Sequence, residues 1–123
     1  MFEQDTREKW KMANRWFQDQ FGQGETLDLD GMLFVIGVRE LGQPKRRFKK
    51  DEKVDLLHIA ICRILMPYGI YRLVGQDQDG WPHYERTSLL PHLKPGEQSV
   101  LVKEAIVRYL EEEEIPYKSK EQP

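Results

Sequence analysis

His58 and Cys62 stand four residues apart in a segment of helical periodicity, which stacks an imidazole and a sulfur on one face at a spacing two ligands of one zinc ion can use. A site needs two more ligands, and the remaining histidines are His83 and His92. One pair without a second local pair is a weak metal signature, and a lone thiol on an apolar helix is ordinarily a small core residue. The sequence therefore assigns no metal and no cofactor, with His58, Cys62 and His83 the residues that would contribute if a site existed. The same pair could act as thiolate and base. That chemistry needs an exposed Cys62 with a depressed pKa, whereas Ile59, Leu65 and Met66 around it point to a buried, inert thiol.

Other catalytic signatures are missing: there is no G-x-S-x-G elbow, no G-x-x-x-x-G-K-S/T loop and no G-x-G-x-x-G fingerprint, so no catalytic residue is assigned and an enzyme is the less favoured reading. TLDLDG and GQDQDG share the acidic spacing of calcium loops but fail on register. Their first ligand positions would be Thr26 and Gly75, and their twelfth positions Gly37 and Arg86, where a bidentate Glu is required. They are better read as a helix cap and a hairpin turn.

Lys45, Arg46, Arg47, Lys49 and Lys50 place five positive charges in six residues, interrupted by Phe48, which could stack on a base or staple the connection to the next helix. Glu111 to Glu114 set four negative charges at a helix C-terminus, where the macrodipole disfavours each by about 0.3–1 kcal/mol. A basic neighbour would relieve them, so the 45–50 stretch, from this chain or a second copy, is an expected counterpart. Trp81, His83 and Glu85 alternate along a strand and could form one aromatic and imidazole face, although Trp81 more readily packs down onto helices. Trp16 becomes a contact for a second subunit if it lies off the buried stripe of its helix.

The elements that position these residues follow from periodicity. Trp10, Ala13, Phe17 and Phe21 mark a helix over 5–21, with Gly22 as its left-handed stop. Asp28 or Asp30 can cap a second helix through MLFVIGVREL to Gly42; its β-branched content also permits a strand, but Leu33, Ile36, Gly37 and Leu41 fit a helical face better. From Asp51, expected as the cap, to Met66 the chain is apolar almost all the way round, with Glu52, Asp55 and Arg63 as a narrow wet edge, which predicts a surrounded central helix. Ile70–Val74 and Trp81–Arg86 flank a turn as a hairpin, and Pro82 restricts the second strand to an edge or a strand start. Leu89, Leu90 and Leu93 are expected to pin the next connection, and a last helix spans 96–114.

The fold class is thus α+β: a small, mainly helical domain of about four helices and one hairpin, in the order α-α-α-β-β-α, over residues 1–123 with 115–123 as a frayed tail. The order is winged-helix-like by analogy only. The exposed side of the central helix would offer Glu52, Asp55, Ile59 and Arg63 rather than a basic reading face, and Asp77 and Asp79 at the wing tip would oppose phosphate. A net charge of −2 gives no global attraction to nucleic acid or anionic membrane. The longest apolar run, Met32 to Val38, falls far short of the ~20 residues a spanning helix needs. Without an export signal, and with one cysteine, the chain is placed in the cytoplasm.

IGVRELG at 36–42, FKKDEKVDLLHIAICRIL at 48–65, DGWPHYE at 79–85 and LPHLKPGEQ at 90–98 together resemble a family of small uncharacterised bacterial cytosolic proteins. The resemblance implies a free-standing bacterial protein and brings no activity, cofactor or catalytic residue. The favoured function is a non-enzymatic protein-protein interaction domain, possible as a homodimer, with Lys45–Lys50, Trp16, Trp81 and the hairpin tip as contacts. Nucleic-acid binding through 45–50, with Phe48 stacking, is the alternative, and a minor metal or thiol site at His58 and Cys62 the third reading.

Overall fold

The computed structural model describes residues 4–43, 47–87 and 95–118. Among them are helices α1 (Gln4–Phe21), α2 (Leu29–Leu41) and α3 (Lys50–Leu65), a 3-10 turn (Met66–Tyr68), strands β1 (Tyr71–Gln76) and β2 (Pro82–Arg86), and helix α4 (Pro95–Glu112). The α+β class and the α-α-α-β-β-α order are those the sequence predicts. The chain divides into two compact units: Met1–Leu27 with His92–Pro123, and Asp28–Pro91.

The first unit pairs the first and last helices. Ala13 and Phe17 of α1 and Ala105, Ile106, Val107, Tyr109 and Leu110 of α4 are buried. Gly22 is not the left-handed stop of α1; Gln23 and Gly24 take that conformation, at φ 49° and 87°. What holds the segment after α1 is Gln18: its Nε2 donates to the Leu27 carbonyl and its Oε1 accepts the Leu27 N–H, both at 2.7 Å. A primary amide thereby satisfies a backbone donor and acceptor at once, as a neighbouring strand would. Beyond α4, Glu114 turns left-handed at φ 56° and the Ile115 N–H returns to the Leu110 carbonyl. The next residues do not trail away: Tyr117 is buried and its hydroxyl donates to Glu111 Oε2 at 2.8 Å. Residues 119–123 of the expected tail lie outside the described residues, as do Leu89, Leu90, His92 and Leu93.

In the second unit α2 is a helix, not a strand. The Asp28 carboxylate accepts the Gly31 N–H at 2.8 Å, and Gly42 ends the helix left-handed at φ 78°. Its buried side, Met32, Leu33, Ile36, Gly37 and Leu41, serves the packing of α2 on α3. At Gly37 the two backbones approach closely, since a Cβ there would run into the Leu56 carbonyl. For α3 the cap is Lys49 rather than Asp51, with the Lys49 N–H bound to Glu52 Oε1 at 2.9 Å. Asp51 sits in the first turn, where its charge still complements the helix dipole.

Burial of α3 changes along its length more than around it. From Ile59 to Leu65 no residue is exposed, as an all-round apolar pattern predicts, whereas Lys50, Asp51, Lys53, Val54, Asp55 and His58 are exposed. Val54, apolar yet exposed, departs from the surrounded helix expected, while Ile59 and Arg63, expected on the outer side, are covered; the hairpin packs on α3 and accounts for part of that cover. In the hairpin Leu73 opposes Tyr84 and Arg72 opposes Glu85, and a bulge between Leu73 and Gly75 leaves Val74 without a partner residue. Pro82 begins β2, where its missing N–H costs no ladder bond. Thr87 Oγ1 donates to the Gly69 carbonyl at 2.6 Å and ties the end of β2 to the 3-10 turn.

Candidate functional site

The Asp28–Pro91 unit gathers most of the residues whose types carry chemistry. His58 and Cys62 share a face of α3, with Nε2 and Sγ 3.5 Å apart, and the His58 ring meets the Tyr71 ring of β1 edge to face at a centroid distance of 6.3 Å. The two members differ in environment: His58 is exposed and Cys62 has no exposed surface. Burial pushes the thiol up to about 11, so at neutral pH it is protonated and can only donate weakly to the imidazole. The geometry is that of a hydrogen-bonded core thiol, without the thiolate that nucleophilic chemistry requires.

His83 does not join that pair. Its Nε2 lies 3.0 Å from Asp77 Oδ2 across the hairpin turn, and among the described residues no three His, Cys, Asp or Glu side chains converge to hold an ion. The turn depends on the same carboxylate. Asp77 Oδ1 accepts the N–H groups of Asp79 and Trp81, each at 3.0 Å, the Asp77 N–H reaches the Trp81 carbonyl at 3.0 Å, and Gly80 supplies the left-handed residue at φ 85°. The bond from His83, then that from the Trp81 N–H, holds the Asp77 carboxyl below the usual carboxylate range. These contacts occupy GQDQDG in making a turn.

A second polar cluster went unseen in the sequence. Arg63 of α3 places Nε 3.6 Å from Glu40 Oε1 of α2, with side-chain exposures of 13% and 19%, and Arg39 adds a contact to Glu40 at 3.7 Å. Tyr84 of β2 lies near enough for the Glu40 charge to add to the effect of burial, which pushes its hydroxyl up to about 12. Oppositely charged residues in the last turns of consecutive helices were the available signal. The cluster joins α2, α3 and β2, with two arginines on one carboxylate, a fastening rather than a reactive centre.

In the basic connection Lys45 and Arg46 lie outside the described residues, and Arg47, Lys49 and Lys50 are exposed. Phe48 packs edge to face on Phe34 of α2 at 6.1 Å, so it staples the connection to a helix instead of presenting a free ring. Glu111 finds its partners inside its own unit, in Lys9 Nζ at 3.3 Å and the Tyr117 hydroxyl. Its bond raises Lys9 above the usual range. Trp16 is half-buried, against Phe17 and Phe21 at centroid distances of 5.1 and 5.8 Å, and Trp81 is also half-buried. Among the described residues, the large hydrophobic side chains that remain exposed are Phe21, Val54, Leu73 and Val74. No described helix is long and apolar enough to cross a membrane. Compared with family models, curated proteins and solved structures, the chain finds no match in any of the three.

Proposed function

We propose that this chain is a non-enzymatic cytosolic module that binds another protein, a second copy of itself included, through the outer side of the hairpin and the exposed half of α3. The observation that supports this reading is the distribution of exposed apolar side chains. Single exposed aliphatics are ordinary, but Val54 at 61%, Leu73 at 48% and Val74 at 61% belong to one unit and to two elements that pack on each other. Among the described residues β1 pairs with β2 alone, which leaves it an edge on the side away from β2, and the bulge turns Val74 out of the ladder. The ion-paired Arg63–Glu40 cluster and the protonated Cys62 add support from the other direction, because neither offers a group poised to react.

Light scattering coupled to size exclusion, across a range of concentrations, tests the self-association form. The expected result is growth above the 14.6 kDa monomer that Leu73→Asp and Val74→Asp remove. For a different partner, the expected result is a protein retained by the wild type and lost by the same two variants. A chain that remains monomeric, and whose captured proteins are indifferent to both substitutions, refutes the reading.

The exposed cations Arg47, Lys49, Lys50 and Lys53 around the start of α3 are the observation behind the nucleic-acid alternative. With Phe48 engaged on Phe34, that reading retains phosphate contacts and loses its stacking residue. It requires DNA or RNA binding at about 50 mM salt that falls steeply at higher salt, and a flat titration there removes it.

A further inference from the structure

We infer that the 77–83 corner of the hairpin is a proton-sensitive latch, in which charging the His83 imidazole tightens its bond to Asp77 and thereby the turn that the Asp77 carboxylate organises. The inference is independent of whether the hairpin has a partner. It rests on one carboxylate performing two jobs: Oδ1 takes the N–H groups of Asp79 and Trp81, and Oδ2 meets His83 Nε2 at 3.0 Å. Moving the carboxylate toward or away from the imidazole therefore moves the acceptor on which two backbone donors of the turn depend.

The charged and polar groups named around the pair are those of the described residues, which leave out Lys45 and Arg46. Asp79 follows within the turn; Glu85, two residues along β2 from His83, is paired across the strands with Arg72; from the segment after α2, Gln43 Nε2 donates to the Asp79 carbonyl at 3.4 Å.

The sign follows from the two groups. Asp77 is held below the carboxylate range, so its contribution is present above the ordinary carboxylate pKa and is lost as pH falls through its own lowered value. The imidazole contributes its charge only while protonated, and imidazoles exchange that proton within about pH 5 to 8. The latch is therefore tightest on the acidic side of neutrality. Above that range it loosens without opening, because a neutral Nε2–H still donates, but to a carboxylate no longer facing a cation.

The test is an NMR pH titration of the intact chain, following the His83 ring and the amides of Asp79 and Trp81. Both amides should shift in step with the ring. Their hydrogen-exchange protection, corrected for the intrinsic pH dependence, should fall about two- to five-fold between pH 5.5 and 8, the scale of an exposed charge pair. In His83→Gln, which keeps a polar side chain at an exposed position, and in Asp77→Asn, which keeps an oxygen for the turn, that dependence should vanish. Amides that stay flat through the ring's titration overturn the latch, as does an unchanged dependence in His83→Gln. The latter variant remains decisive if Asp77→Asn disorders the turn.

Discussion

Cys62 shows how one residue's surroundings decide what its chemistry can be. With no exposed surface and a thiol raised to about 11, it is neutral at pH 8, and the nearby imidazole has no thiolate to stabilise. An alkylating reagent should leave the native protein unmodified over hours at pH 8 and label it within minutes in strong denaturant; rapid native labelling would reopen the nucleophile reading. Gln18 is the converse case, a polar side chain with a structural task invisible in its type. Replacing it by Ala deletes two 2.7 Å bonds to Leu27 and should cost about 1–3 kcal/mol in urea denaturation. Gln18→Glu, which keeps the acceptor and sets an oxygen against the Leu27 carbonyl, should not restore the loss. The sequence exposed the four-residue spacing of His58 and Cys62 and the apolar neighbours that cover the thiol. It could not show that His83 belongs to Asp77, because that pairing exists only once the turn has brought positions 77 and 83 together.

The limits of periodicity become clear in the helices and strands. Caps are chain-local chemistry, so Gly42 was legible and Asp28 was one of two candidates with Asp30, while the second strand, read from Trp81, starts at Pro82, one of the two places its missing N–H allowed. The cap of α3 was displaced by two residues because the Lys49 backbone, rather than an Asp side chain, supplies the bond to Glu52. A periodic pattern averages over a whole helix and predicts a stripe, yet covering elements reach different stretches of α3, which leaves Val54 wet and encloses 59–65. Phe48 was legible as an aromatic that could stack on a base or staple the connection to the following helix, whereas its contact is with Phe34 of the preceding helix α2, a tertiary choice that local sequence does not carry. Gly37 joins helix propensity to packing. In an isolated helix Gly→Ala gains about 1 kcal/mol, but here the methyl meets the Leu56 backbone and forces α2 from α3, at a cost of about 1–3 kcal/mol or more. Gly37→Ala should therefore lower the denaturation midpoint despite the better helix former, and a stabilised variant would show that the two helices can part cheaply.

Over the whole chain, the two units differ in the sequence distance they must close. Asp28–Pro91 is continuous, and its helix pair and hairpin join neighbours, whereas the other unit unites α1 with α4, as the Lys9–Glu111 ion pair shows. Closing long loops costs chain entropy before contacts repay it, which favours earlier ordering of the continuous unit. In pulse-labelled refolding, amides of α2, α3 and the hairpin should gain protection before those of α1 and α4. Simultaneous protection would instead mark a single cooperative step. No periodic pattern carries this division, because periodicity reports which face of a helix is apolar and is silent on which distant helix will cover it.

The pairing of α1 with α4 has a consequence during synthesis. A ribosome makes α1 well before α4, so the side chains of Ala13 and Phe17 wait through the translation of everything between before their mate emerges. For that interval α1 is an amphipathic segment without its native cover, open to holdase chaperones and to the α4 of a neighbouring nascent chain on the same message. Slower elongation through the middle of the message should lengthen this window and raise the aggregated fraction, while leaving the stability of the finished molecule untouched.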